Sequence, residues 1–119
     1  MDKESVYIPV ETMQNFMVDV LAGVGVSRSE AETIAEVLIS SDLRGVESHG
    51  IGRLRMYYDR IRAGTISATT QFEIIKEGPT TAVVDGHYGM GHVIGVRAMQ
   101  MAIDKARTYG MGSVAVRNS

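Results

Sequence analysis

The chain contains no cysteine. Disulfide bonds, thiol catalysis and Cys-ligated zinc or iron–sulfur sites are therefore excluded. A cysteine-free composition fits a cytoplasmic protein. No apolar run reaches membrane-spanning length. The opening stretch MDKESVYIPVE has no continuous apolar segment after its lysine, so no secretory leader is expected there. An excess of charge is also missing: 12 Lys+Arg face 14 Asp+Glu, for a net charge of −2 and a pI near 5.9. That balance argues against a nucleic-acid partner and against an anionic membrane surface. It leaves room for small anionic ligands, which need only local positive charge. Internal repeats and low-complexity tracts are absent as well.

What is present suits a folded domain. Of 119 residues, 45% are hydrophobic and 22% charged, so disorder is not expected. A chain of this length buries roughly two-thirds of its unfolded surface. Val10, Met13, Met17, Val20, Leu21 and Val24 repeat at helical spacing, entered through Pro9 and closed by Gly23–Gly25. Ser27 and Glu30 form an S-x-x-E capping box for a second helix, worth about 1 kcal/mol. Ala31, Ile34, Ala35 and Leu38 make its apolar face, and Gly45 stops it. A third helix is predicted from Ser48 to Ala63, with Ile51, Leu54, Tyr58 and Ile61 as its stripe and Gly64 beyond its end.

The pattern then changes. Thr65–Gln71 is polar and reads as a linker. FEIIKE and TTAVVDG read as two strands around a Gly78-Pro79 turn. A fourth helix fits Gly91 to Tyr109, with Gly95, Ala98, Met99, Ala102, Ile103 and Ala106 as its buried face. GSVAVR is a last strand. Strand, helix and strand in that order predict a parallel βαβ crossover. The expected fold class is mixed α/β: a three-helix segment over residues 1–68, then a hairpin, helix and strand over 69–119. In open α/β sheets ligands gather beyond the carboxyl ends of the strands. A chain ending at Ser119, just after a strand, therefore looks cut short.

The stretch DLRGVESHG, Asp42–Gly50, carries more polar groups than a connector needs. With Ser48 as a helix cap, His49 and Arg53 are i and i+4 and share one face. They would stand in the first turn, where unpaired N–H groups favour an anion. Arginine can hold a carboxylate by two hydrogen bonds. Histidine can transfer a proton to or from an adjacent oxygen. That pairing suits a 2-oxo acid or its 2-hydroxy acid, with a cofactor to carry the electrons. A structural alternative stays open: Ser48 as a cap only, His49 as a half-exposed first-turn residue, and Arg53 as the partner of Glu47 or Asp42. Asp42 and Arg44 read as a local ion pair.

The second glycine cluster, DGHYGMGHVIG from Asp85 to Gly95, does not match a dinucleotide fingerprint. Its third glycine is four residues on rather than three, and no acid follows the next strand. Asp85, His87 and His92 lack metal-ligand spacing, so no metal is expected. The eight methionines read as packing.

The string AEVLISSDLRGVESHGIGRLRMYYDRIRAGTI resembles the signature of the malate/L-lactate dehydrogenase family, the NAD(P)-dependent oxidoreductases without a Rossmann fold. That family includes sulfolactate, ureidoglycolate and piperideine-2-carboxylate enzymes. The likeness continues through VVDGHYGMGHVIGVRAMQMAIDKA and GMGSVAVRNS, nearly the whole chain. The resemblance implies reduction of 2-oxo or imino acids with NAD or NADP, or the reverse reaction. It implies a homodimer with its active site between a helical domain and an unusual α/β cofactor domain. Ser48, His49 and Arg53 match its S-H-G-x-x-R positions. By that match His49 transfers a proton or polarises the carbonyl, Arg53 binds the substrate carboxylate, and Ser48 orients substrate or helix end. The family pattern normally continues past VRNS into another histidine, itself a candidate for the main acid–base group in place of His49, and a long cofactor-binding region. The 119 residues alone are therefore expected to be inactive. The competing reading is a non-catalytic interaction or assembly module that kept the fold.

Overall fold

Helix α1 (Val10–Gly23) starts directly after Pro9, whose fixed φ of −54° suits a helix entrance. The computed structural model describes residues 5–119. Helix α2 (Arg28–Leu43) is capped by Ser27, whose hydroxyl accepts the Glu30 N–H at 3.4 Å. The expected capping box is only half made. The Glu30 carboxylate turns away from Ser27 and accepts from Thr70 Oγ1 at 3.0 Å and Arg97 Nη2 at 3.2 Å. The charged guanidinium of Arg97, on the last helix, outcompetes one backbone N–H, and the exchange ties the helical part to the later segment.

The helices pack because their apolar spacing gives each a buried stripe. Met17 and Leu21 of α1 meet Ile34, Ala35 and Leu38 of α2, all at most 1% exposed. Burying each large aliphatic side chain contributes about 1.5–3 kcal/mol. Leu54 and Ile61 close the same core from helix α3 (Leu54–Ala63). Met90 and Val93, from the later part of the chain, belong to that core too.

Strands β1 (Glu73–Glu77) and β2 (Thr81–Asp85) form an antiparallel hairpin with an irregularity between Ile74 and Lys76. Helix α4 (Gly91–Tyr109) then crosses to β3 (Ser113–Arg117), which pairs parallel to β2. The sheet order is β1-β2-β3, so the expected mixed α/β class and parallel crossover are both found.

Two expectations need correction. The third helix does not begin at Ser48. Two separate 3-10 turns, Glu47–His49 and Ile51–Arg53, precede α3, which starts at Leu54. Helix α4 also turns a different face inward. Val93, Ile94 and Ala98 are buried and Ala102 and Ala106 half-buried, whereas Gly95, Met99 and Ile103 are exposed. Its apolar residues span more than half of the helix circumference, opposite Arg97, Gln100, Asp104 and Arg107, so periodicity does not choose the inner side within that wide arc. Contact with the sheet and with α2 decides it.

Candidate active site

The backbone between α2 and α3 explains the composition of DLRGVESHG. Gly45 takes a left-handed φ of +77°, and the Val46 N–H reaches back to Ser41 O at 2.8 Å. This is the closing turn expected at a helix C-terminus. Asp42, in the last turn of α2, then reaches forward. Its Oδ2 accepts the Ile51 N–H at 2.8 Å and so anchors the second 3-10 turn to α2. The expected Asp42–Arg44 ion pair is not formed, because this carboxylate is engaged with the backbone. Gly50 is buried against the same group: a Cβ there would lie inside the Asp42 carboxylate. Gly50→Ala is therefore expected to destabilise by about 1–3 kcal/mol, read by urea unfolding. Adding Asp42→Ala should recover part of that loss, because the collision disappears. Two additive losses would refute this packing account.

The anchored loop brings the three candidate residues together through Ser48. Its hydroxyl lies 2.8 Å from His49 Nδ1, and its carbonyl accepts Arg53 Nε–H at 2.6 Å. The grouping is real, although its cause differs from the expected i,i+4 helix face. It arises from a 3-10 turn folded back on itself. The bond through Nε fixes the guanidinium while its two Nη groups remain the outer edge of the fork. A serine hydroxyl can donate or accept. With Ser48 donating to Nδ1, His49 carries its proton on Nε2; with Ser48 accepting, Nε2 is the basic nitrogen. One hydroxyl thus supports either direction of proton transfer.

His49 lines a cleft of about 690 Å³ that runs along α2 past Glu36, Val37 and Ser40 to Arg44 and Val46 just beyond it, with Val96 of α4 on one side. Arg53 and Ser48 are not in that lining. His49 is thus shared between the cleft and the Ser48–Arg53 group.

The second glycine cluster has a different job. The Asp85 carboxylate is 6% exposed. It accepts from His87 N at 2.8 Å, Arg117 Nε at 2.9 Å and Asn118 Nδ2 at 3.3 Å. The His87 N–H, with help from Arg117 and Asn118 and against the cost of burial, holds its pKa below the usual carboxylate value. It steadies two non-glycine residues in left-handed conformation, His87 and Asn118, and the Asn118 carbonyl in turn accepts the N–H of a third, Tyr88. The His87 ring meets Glu73 Oε2 at 2.6 Å, while His92 stacks edge-on against Tyr57. The His87 and His92 rings therefore serve separate contacts, one with Glu73 and one with Tyr57.

This turn does not fit a dinucleotide phosphate. A phosphate cradle needs free backbone N–H groups. Here the N–H groups of Gly86, His87, Tyr88 and Gly89 donate to Arg117 O, the Asp85 carboxylate, Asn118 O and Gly86 O.

His92 Nδ1 is buried without a hydrogen-bond partner, and burial pushes the His92 pKa below its ordinary value. The unfolded chain then takes up a proton as pH falls below about 6.5, before the folded chain does. Stability is full above that pH and is lost towards the lower folded value. The melting temperature should fall between pH 7.5 and 5.5, and less so in His92→Phe. Equal falls in both proteins would contradict this.

Sequence reasoning missed Asp42 as the loop anchor and Asp85 as the turn clasp. Both act on backbone groups that no side-chain motif announces. It also placed Arg44 in an ion pair, although that residue lines the His49 cleft.

An all-helical front whose last loop holds a histidine and an arginine, backed by a hairpin and a parallel crossover, is the architecture of one group of dehydrogenases. The malate dehydrogenase of Pyrococcus horikoshii superimposes with a TM-score of 0.94 at 42% identity, over 96% of this chain and 33% of that one. The sulfolactate dehydrogenase of Methanocaldococcus jannaschii gives 0.92 at 41%, over 95% and 33%. In sequence, the malate dehydrogenase of Pyrococcus abyssi is 47% identical over 118 residues, 99% of this chain and 33% of that protein. The malate/L-lactate dehydrogenase family profile matches residues 8–119, and the chain belongs to that family. It spans about a third of the length of these relatives.

Proposed function

We propose that these residues form the substrate-binding part of an oxidoreductase that interconverts 2-oxo acids and 2-hydroxy acids with NAD or NADP. The observation that carries this reading is the convergence of His49 and Arg53 on Ser48, at 2.8 and 2.6 Å, beside a cleft. Arg53 presents its Nη edge to the substrate carboxylate. His49 Nε2 gives a proton to the forming alkoxide in reduction and takes it back in oxidation. Ser48 selects the imidazole tautomer and ties both groups to one turn. The nicotinamide, when bound, supplies or accepts the hydride. Its phosphates need donors other than the turn at Gly86–Gly89, whose N–H groups are engaged within the chain.

The same reading takes residues 1–68 as a helical segment carrying the site and 69–119 as the start of the cofactor domain. It takes the working protein as cytoplasmic and as a homodimer or larger assembly. Exposed apolar groups support association: Val96, Met99 and Ile103 on α4, and Ile74 and Ile75 on β1, are 38–61% exposed. That surface equally supports the second reading, an assembly module that kept the fold without the chemistry. The test is an assay of the complete reading-frame product for NADH or NADPH oxidation with several 2-oxo acids. Activity above background supports the enzyme. Its absence with both cofactors favours the assembly module.

A further inference from the structure

We infer that Asp42 is a positioning residue for the proposed reaction: by taking the Ile51 N–H it releases Ser48 to orient His49 and Arg53. This rests on the roles proposed for those two groups and adds a residue that acts on them at one remove.

Two backbone arrangements compete after Gly45. In the first, Ser48 caps one helix running on to Ala63, as the spacing predicts. Ile51 is then the third helical residue, so Ser48 Oγ accepts the Ile51 N–H and the Ser48 carbonyl accepts the Gly52 N–H. Both oxygens of Ser48 are engaged inside that helix. In the second, which the structure shows, Asp42 Oδ2 holds the Ile51 N–H at 2.8 Å. The chain breaks at Gly50, whose φ of −98° and ψ of −146° are not helical. Both Ser48 oxygens are thereby released. The hydroxyl lies 2.8 Å from His49 Nδ1, and the carbonyl accepts Arg53 Nε–H at 2.6 Å. The two atoms that a continuous helix would use are the two that set the imidazole and the guanidinium.

Three observations assign the choice to Asp42. Neither 3-10 turn nor α3 carries a side-chain cap of its own, so the Asp42 bond is what holds the break. A carboxylate is also the stronger acceptor: charge-assisted hydrogen bonds are roughly twice as strong as neutral ones, so Asp42 wins the N–H from a serine hydroxyl. Finally, the carboxylate is fixed in place. It rises from the last turn of α2 and packs on buried Gly50, where a Cβ would overlap it. Gly50 and Gly52 weaken the continuous helix but do not direct Ser48.

A bond that only stabilised the loop would change how many molecules are folded and leave the folded ones alike. Positioning changes the folded molecules, and the imidazole nitrogen signals of the folded protein report on that.

The experiment uses the complete reading-frame product. Nitrogen-detected NMR follows the His49 ring, and kinetics use whichever 2-oxo acid is turned over fastest. Asp42→Ala should move the His49 Nδ1 signal from its wild-type position to that of Ser48→Ala, where the contact is absent. It should also lower kcat/KM by about tenfold or more. In a Ser48→Ala background, Asp42→Ala should leave the His49 signal unmoved and cost less in kcat than it does alone. Asp42→Asn keeps a neutral acceptor and should show part of both effects; it stands in if Asp42→Ala does not fold. A wild-type His49 signal in the folded Asp42 variant overturns the inference, as do losses that simply multiply in the double variant. His49→Ala separates this from the reading beneath it. If His49→Ala keeps wild-type turnover, the proposed site fails and this role with it. If it abolishes turnover while the Asp42 variant keeps the wild-type signal and kcat, only the role of Asp42 fails.

Discussion

His49→Ala is expected to lower kcat for 2-oxo acid reduction by about 10²–10⁴-fold in the complete reading-frame product, the usual worth of a positioned acid–base group. The imidazole contacts Ser48 through Nδ1 and has few packing duties, since the residue is exposed. Its removal should therefore leave the melting temperature nearly unchanged. KM should change little, because the carboxylate grip belongs to Arg53. Steady-state kinetics, with circular dichroism to confirm folding, checks this. A variant of wild-type kcat contradicts the role. Ser48→Ala should show a smaller loss, because it frees the tautomer without removing the ring.

Arg53→Ala is the second large effect. It removes the fork that receives the substrate carboxylate and also the Nε bond to Ser48 O at 2.6 Å. An expected loss in kcat/KM is about 10²-fold, mostly through KM. Arg53→Lys should rescue only part of it, since an ammonium cannot bond the Ser48 carbonyl and a bidentate carboxylate at once. A test of mechanism follows from the shared serine. Losing the Arg53–Ser48 bond should loosen the turn and lower kcat modestly too, so the double variant His49→Ala/Arg53→Ala should lose less than the product of the single losses. Strict multiplicativity would mean that the two groups act independently.

The boundaries that were legible depend on local chemistry. Pro9, Ser27, Gly45 and the Gly78-Pro79 turn each punctuate the chain where the structure does, and Gly91–Tyr109 is a helix as expected. What escaped depends on contacts between distant residues. Ser48–Arg53 reads as helix because its composition allows one, but the Asp42 carboxylate captures the Ile51 N–H and the chain takes two 3-10 turns instead. Glu30 looks like a capping partner until Arg97, 67 residues away, offers a charged donor. The apolar arc of helix α4 is wider than the face it buries, so only contact with the sheet and α2 could select Ile94 and Ala98 over Met99 and Ile103. Of the site, the residue types at Ser48, His49 and Arg53 were readable from the S-H-G-x-x-R string. Their grouping about one serine was not, because it depends on a backbone carbonyl.

The central claim is that His49 and Arg53 grip one small acid between them. It is tested most directly by nitrogen-detected NMR of the histidine and arginine side chains in the complete product. Oxamate, an unreactive 2-oxo acid mimic, would be titrated in with the nicotinamide cofactor present. The account predicts that His49 Nε2 and the Arg53 Nη signals shift together along one saturation curve, and that the Arg53→Ala protein loses the His49 response. Saturation of oxamate binding with neither signal moving would contradict it.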